Sequence, residues 1–164
     1  MSPPVFVLPR HMHRLETCIP PPVVMLAAGS LALFGAWTIP SLAFPFPWHA
    51  RFGLVAGVCG LILNLWPKRA FRRARTSVNP MRPELATDLV VIGLYRHIRN
   101  PMYLGHALML LGWFFYLHNV TALLALMLYV TYVTRFQIIP EERMLAERFP
   151  LQYEAFKRRV RRWL

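Results

Sequence analysis

Apolar residues fall in four long blocks, 23–43, 52–66, 103–117 and 120–139, separated by stretches where prolines and polar or basic residues gather. Residues 23–43 contain no charged side chain and suffice to cross roughly 30 Å of hydrocarbon as a helix. Residues 120–139 are the second full-length candidate, interrupted only by Arg135 near their end. Blocks 52–66 and 103–117 are shorter, compatible with a full span or with a buried or re-entrant helix. The pattern predicts an all-α integral membrane bundle of about four transmembrane helices. Beyond it, Leu145, Phe149, Tyr153, Phe156, Val160 and Trp163 recur at spacings of three and four, with basic residues on the other face. That spacing predicts an amphipathic C-terminal helix on the cytoplasmic leaflet, interrupted at Pro150. Residues 1–22 are expected to form a cytoplasmic arm that ends in Pro20-Pro21-Pro22, and residues 23–164 a single membrane domain.

The junctions carry the chemistry. In Arg99-Asn100-Pro101 a helix is predicted to start at Pro101, whose missing N–H costs nothing in a first turn, with the Asn100 side chain as its cap. The free N–H groups and positive dipole end of that helix would lie beside Arg96 and Arg99, which makes an anion site; the same arginines also suit headgroup anchoring. At Pro140, which cannot donate to the Phe136 carbonyl, a kink or break is expected, and Glu141 and Glu142 sit at it. Arg135 and Glu142 would share a face if the helix continued, and ionisable groups at this depth point to function. The plainer alternative is an intrahelical pair of either glutamate with Arg135 or Arg143.

Elsewhere the expectations are architectural. Gly53, Gly57 and Gly60 offer a small-residue face for close helix approach. Residues 68–75 read as a basic amphipathic stub after a span that ends at Trp66-Pro67, residues 76–83 as a proline-punctuated loop, and residues 89–93 as an apolar wall too short to span. Residues 117–119 close a tight hairpin that makes the third and fourth spans antiparallel neighbours.

Charge fixes an expected orientation. The chain is 56% hydrophobic and 16% charged, with a formal net charge of +12. Nearly all lysines and arginines lie at Arg10 and Arg14, between Lys68 and Arg99, and from Lys157 to Arg162. The turns at 40–48 and 118–119 carry none, and Arg51 is the exception on that side. The positive-inside rule then puts both termini in the cytoplasm, and the basic surfaces face anionic lipid headgroups instead of nucleic acid. The N-terminus lacks a cleavable signal pattern, and Cys18 and Cys59 make no recognisable pair.

The motif 99–105, followed after one hairpin by Glu141-Glu142, then Phe149, Tyr153 and the basic end, resembles the isoprenylcysteine carboxyl methyltransferase and phospholipid methyltransferase superfamily. The resemblance covers residues 76–164 and includes the lead-in Gly93 to Tyr95. It implies a membrane methyltransferase using S-adenosylmethionine, in a bacterial inner membrane, with a lipidic or amphipathic acceptor drawn from the membrane lipids. The cofactor pocket it implies consists of Leu89, Val90, Tyr95, Asn100, Pro101, Met102, Tyr103, Glu141 and Glu142, with Arg99, Glu142 and Arg135 as catalytic candidates. Neither a metal nor a covalent nucleophile is required. Asn100 replaces the histidine usual in the isoprenylcysteine enzymes, which leaves the acceptor open among carboxylate, amine and thiol. The alternatives are an NADPH-dependent reductase of the related sterol reductase type and a non-catalytic membrane ligand-binding protein.

Overall fold

A computed structural model of the protein describes residues 16–74, 89 and 91–163. Its described residues form α-helices, with no strand beyond two isolated bridges. Helix α1 is Pro21–Thr38, α2 His49–Ala74, α3 Pro101–Leu117, α4 Val120–Val133, α5 Ile139–Arg148 and α6 Pro150–Arg159. A π-helical turn, Thr134–Ile138, joins α4 to α5 without a break in the chain's helical course. Among the described residues, three helical stretches are long and apolar enough to cross a membrane: Pro21–Thr38, His49–Lys68 and Val120–Arg148. The apolar helix α3, at 17 residues, falls just short.

Several boundaries differ from the sequence expectation. Helix α1 stops at Thr38, because Pro40 opens a 3-10 turn and the chain then runs through Pro45 and Pro47. Helix α2 does not end at Pro67 but runs through it to Ala74, so residues 68–74 continue α2 instead of forming a separate stub. Pro67 is buried, and a helix with packed neighbours tolerates the one hydrogen bond its ring removes. The loop 76–83, like Arg10 and Arg14, lies outside the described residues.

Helix α2 lies closest to α3, and the reason is glycine. A Cβ on Gly105 would stand 2.6 Å from the Gly60 carbonyl oxygen, and one on Gly112 would stand 2.6 Å from that of Gly53. These two pairs, seven residues apart on each helix and running in opposite directions, bring the backbones together as the small-residue face predicts. At the far end of α3, His118 takes a left-handed conformation (φ 39°) and ends the helix. Asn119 then caps α4 by accepting from the Thr121 N–H at 2.9 Å, which closes the expected antiparallel hairpin. Ala28, Ala32, Leu110, Ala122, Ala125, Tyr129 and Val133 fill the core between α1, α3 and α4.

Pro140 shapes the remaining connection. Its ring excludes a regular α-turn, and the wider π turn just before it accommodates the residue that the α-helical register cannot. The result aims α5 and its two glutamates at the N-terminal end of α3.

Candidate functional site

Gly93, at φ 62°, turns the chain where a side chain would be strained, and residues 93–96 form a single 3-10 turn that buries Tyr95. Helix α3 begins at Pro101, as the Asn-Pro step predicts. Asn100, however, does not cap it. The proline holds Asn100 at φ −127°, ψ 55°, and its side-chain amide donates instead to the Arg162 carbonyl at 3.0 Å. The Arg99 N–H donates to the Arg161 carbonyl at 2.9 Å, and Ile98 bridges Arg161 in parallel. The segment after α6 therefore runs alongside residues 98–100 and forms one wall of the mouth.

The acidic pair meets this mouth from the other side. Arg162 grips Glu142 with both prongs, Nε to Oε1 at 3.1 Å and Nη2 to Oε2 at 2.7 Å. Arg99 Nη1 lies 3.1 Å from Glu142 Oε1. That contact is close enough for charge attraction but is not aligned as a hydrogen bond, so Arg99 Nε and Nη1 are buried donors without an acceptor. Glu141 points to a different partner: the Tyr103 hydroxyl donates to its Oε1 at 2.6 Å. Neither glutamate pairs with Arg135 or Arg143.

Electrostatics at the mouth follows from this packing. Burial, with Glu142 adding to it, pushes the Tyr153 hydroxyl up to about 12 against the pull of Arg99. Burial and then Glu141 raise Tyr95 far above the ordinary tyrosine range. The hydrogen bond to Glu142 raises Arg162 further. Both tyrosines stay neutral and Arg162 charged at any physiological pH.

Of the remaining expected residues, Leu89 packs against the Tyr153, Phe156 and Val160 cluster on α6 and the segment after it. Pro101 is fully buried, and the Met102 carbonyl accepts from the Asn64 side chain of α2 at 3.3 Å. Val90 lies outside the described residues. Arg135 is not brought to Glu142: it sits on the π turn, 3.2 Å from Glu16, because the wider turn removes the straight helical face that the seven-residue spacing assumes.

Sequence reasoning missed three contributors. Arg162 was indistinguishable from its neighbours in a basic tail. Glu16 lies far away in the chain. The third is a buried relay in which His106 contacts Asn64 at 2.9 Å through Nε2 and the Tyr129 hydroxyl at 3.0 Å through Nδ1. A signal for the relay existed, since an ionisable residue inside an apolar run marks a site by default.

The family model for phospholipid methyltransferases matches residues 48–152, which takes in α2 to α5 and both halves of the site. An uncharacterized protein of Haemophilus influenzae is 40% identical over 63 residues, equal to 38% of this chain and to the whole of that protein. No solved structure matches the chain. With a motif arginine, an Asn-Pro helix start and an acidic pair converging at one end of a bundle of apolar helices, the chain belongs to the phospholipid methyltransferase family and is an integral membrane methyltransferase.

Proposed function

We propose that the protein transfers a methyl group from S-adenosylmethionine to a lipidic or amphipathic acceptor that reaches the site from the bilayer. The observation that carries this reading is Arg99, a guanidinium beside the N-terminal end of α3 whose buried Nε and Nη1 make no aligned hydrogen bond, although Nη1 lies 3.1 Å from Glu142 Oε1. Such a guanidinium has donors left for a ligand carboxylate, and the helix end favours the same charge. The rest of the donor set fits the other parts of the cofactor. Glu141 and Glu142 offer acceptors to an ammonium or to ribose hydroxyls, and Tyr95 and Tyr103 offer ring faces to adenine or sulfonium.

When bound, the cofactor would be held by Arg99, the start of α3 and the acidic pair, and would supply an electrophilic methyl group on a sulfonium. The chain's own residues bind and align. Arg99 and the α3 end hold negative charge, Tyr103 fixes Glu141 in place, and Arg162 with Asn100 keeps the outer wall against the mouth. Alignment in a site shielded from water is the main contribution a protein makes to such a transfer.

Open apolar grooves run along α3, one between it and α1 at Gly29, Leu33 and Trp113, another between it and α2 at Gly57, Leu61 and Met109. In this reading α3 completes a fourth span, the mouth faces the cytoplasm of a bacterial inner membrane with both termini on that side, and membrane lipids are the partners. Isothermal titration with S-adenosylhomocysteine tests it. The parent protein is expected to bind and Arg99→Ala to bind about tenfold more weakly, the cost of one charge-assisted contact. Absence of binding by the parent in several detergents and in nanodiscs would remove S-adenosylmethionine from the proposal.

A further inference from the structure

We infer that residues 16–19 form a strap that sets the direction of α5 and hence the placement of the acidic pair, with Glu16 as a positioning residue. The inference rests on the reading that Glu141 and Glu142 belong to the cofactor site. Its starting point is the carbonyl of Phe136, whose α-helical donor would be the N–H that Pro140 lacks. The Thr17 N–H donates to that oxygen at 2.9 Å. One residue along, the Gln137 side-chain amide donates to the Ile19 carbonyl at 2.7 Å. Two hydrogen bonds, one donated in each direction, thus tie a distant segment to the π turn itself.

Glu16 adds the charge. Its side chain is 1% exposed and lies 3.2 Å from Arg135 Nη1, on the π turn, and 3.4 Å from Arg143 Nη1, on α5. A carboxylate that deeply placed requires its partners, because an unpaired buried charge costs several kcal/mol. The two arginines stand on either side of Pro140, so a single carboxylate ties the π turn to α5. Thr17 takes a left-handed backbone conformation (φ 55°), costly for a β-branched residue, and it is the docked strap that holds it there.

The geometry gives Glu16 and Arg135 a task without contact to the reacting groups. The π turn passes into α5 without a break, and the strap's contacts on that turn add to what aims α5; that direction decides whether Glu141 meets Tyr103 and Glu142 meets Arg99. Removing the clamp frees α5 to swing while the bundle stays folded.

The test compares the parent, Glu16→Gln and Glu16→Asp in nanodiscs by amide hydrogen exchange and by titration with S-adenosylhomocysteine. In Glu16→Gln, exchange in residues 139–148 is expected to accelerate at least about fivefold while residues 101–117 keep their protection, and affinity to fall about tenfold. Glu16→Asp should recover part of both. Exchange in 139–148 unchanged, or accelerated equally throughout the bundle, would overturn the strap. If Glu16→Gln does not fold, Arg143→Gln removes one arm of the clamp and is judged by the same two readouts. If the parent binds no S-adenosylhomocysteine, the cofactor reading falls, and the exchange pattern alone decides the strap.

Discussion

The two ends of the helical bundle are built from different materials. At one end the connections 39–49 and 118–119 are closed by rings: Phe44 against Phe114 at 5.5 Å, Phe46 against Phe52 at 5.5 Å and Phe115 at 5.7 Å, and Arg51 over Trp48 at 4.7 Å. Its polar groups are matched, with Asn119 donating to the Ile39 carbonyl while it caps α4, and the Phe44 N–H donating to the His118 carbonyl. At the other end ions and hydrogen bonds between distant segments hold the chain. Among the described residues, the buried side-chain atoms left without a partner are Arg99 Nε and Nη1, Tyr132 Oη and Gln137 Oε1, and none lies at the aromatic end. One end is finished by its own side chains. The other keeps buried donors and acceptors that no aligned hydrogen bond uses.

Three substitutions test this contrast. The largest effect is expected at the seam that both ends share. In Gly105→Val the new Cβ would press on the Gly60 carbonyl and the Asn64 N–H, separating α2 from α3 at a cost of about 3 kcal/mol. Thermal unfolding in detergent should then show both ends lost together; if ligand affinity survives unchanged, the site does not depend on the seam. Next comes Glu142→Ala, which leaves Arg99 and Arg162 facing each other unpaired. A loss of about 2 kcal/mol in stability and about a hundredfold in affinity for S-adenosylhomocysteine is expected, read by unfolding and titration on one preparation. The smallest is Asn119→Ala at the aromatic end, with about 1 kcal/mol lost from the missing cap. Its affinity should equal the parent's, and any weakening would show that the two ends communicate.

What the sequence disclosed follows from the range of the physics involved. Proline acts on its own turn, so the start of α3 at Pro101 and the disturbance at Pro140 were legible, although the latter takes the form of a π turn and not a sharp kink. Glycine spacing foretold the close approach of α2, and the structure supplies its partners, Gly105 and Gly112. The Asn100 cap failed because a residue 62 positions away offered its amide a carbonyl. Glu16 and Arg162 were illegible for the same reason. A pairing across more than a hundred residues, as between Glu16 and Arg135, leaves no periodicity to read. The end of α2 was misplaced because proline forbids a hydrogen bond, not a helix, once neighbouring helices supply the packing.

Helix α3 has a consequence for the lipids around it. Seventeen residues rise about 25 Å, short of the roughly 30 Å of a bilayer's hydrocarbon. A membrane accommodates such a helix by thinning beside it, and the apolar grooves expose α3 to lipid on two sides. Where α3 completes a span, as proposed above, headgroups beside it are drawn inward at both of its ends, and one of those ends carries Arg99 and Asn100.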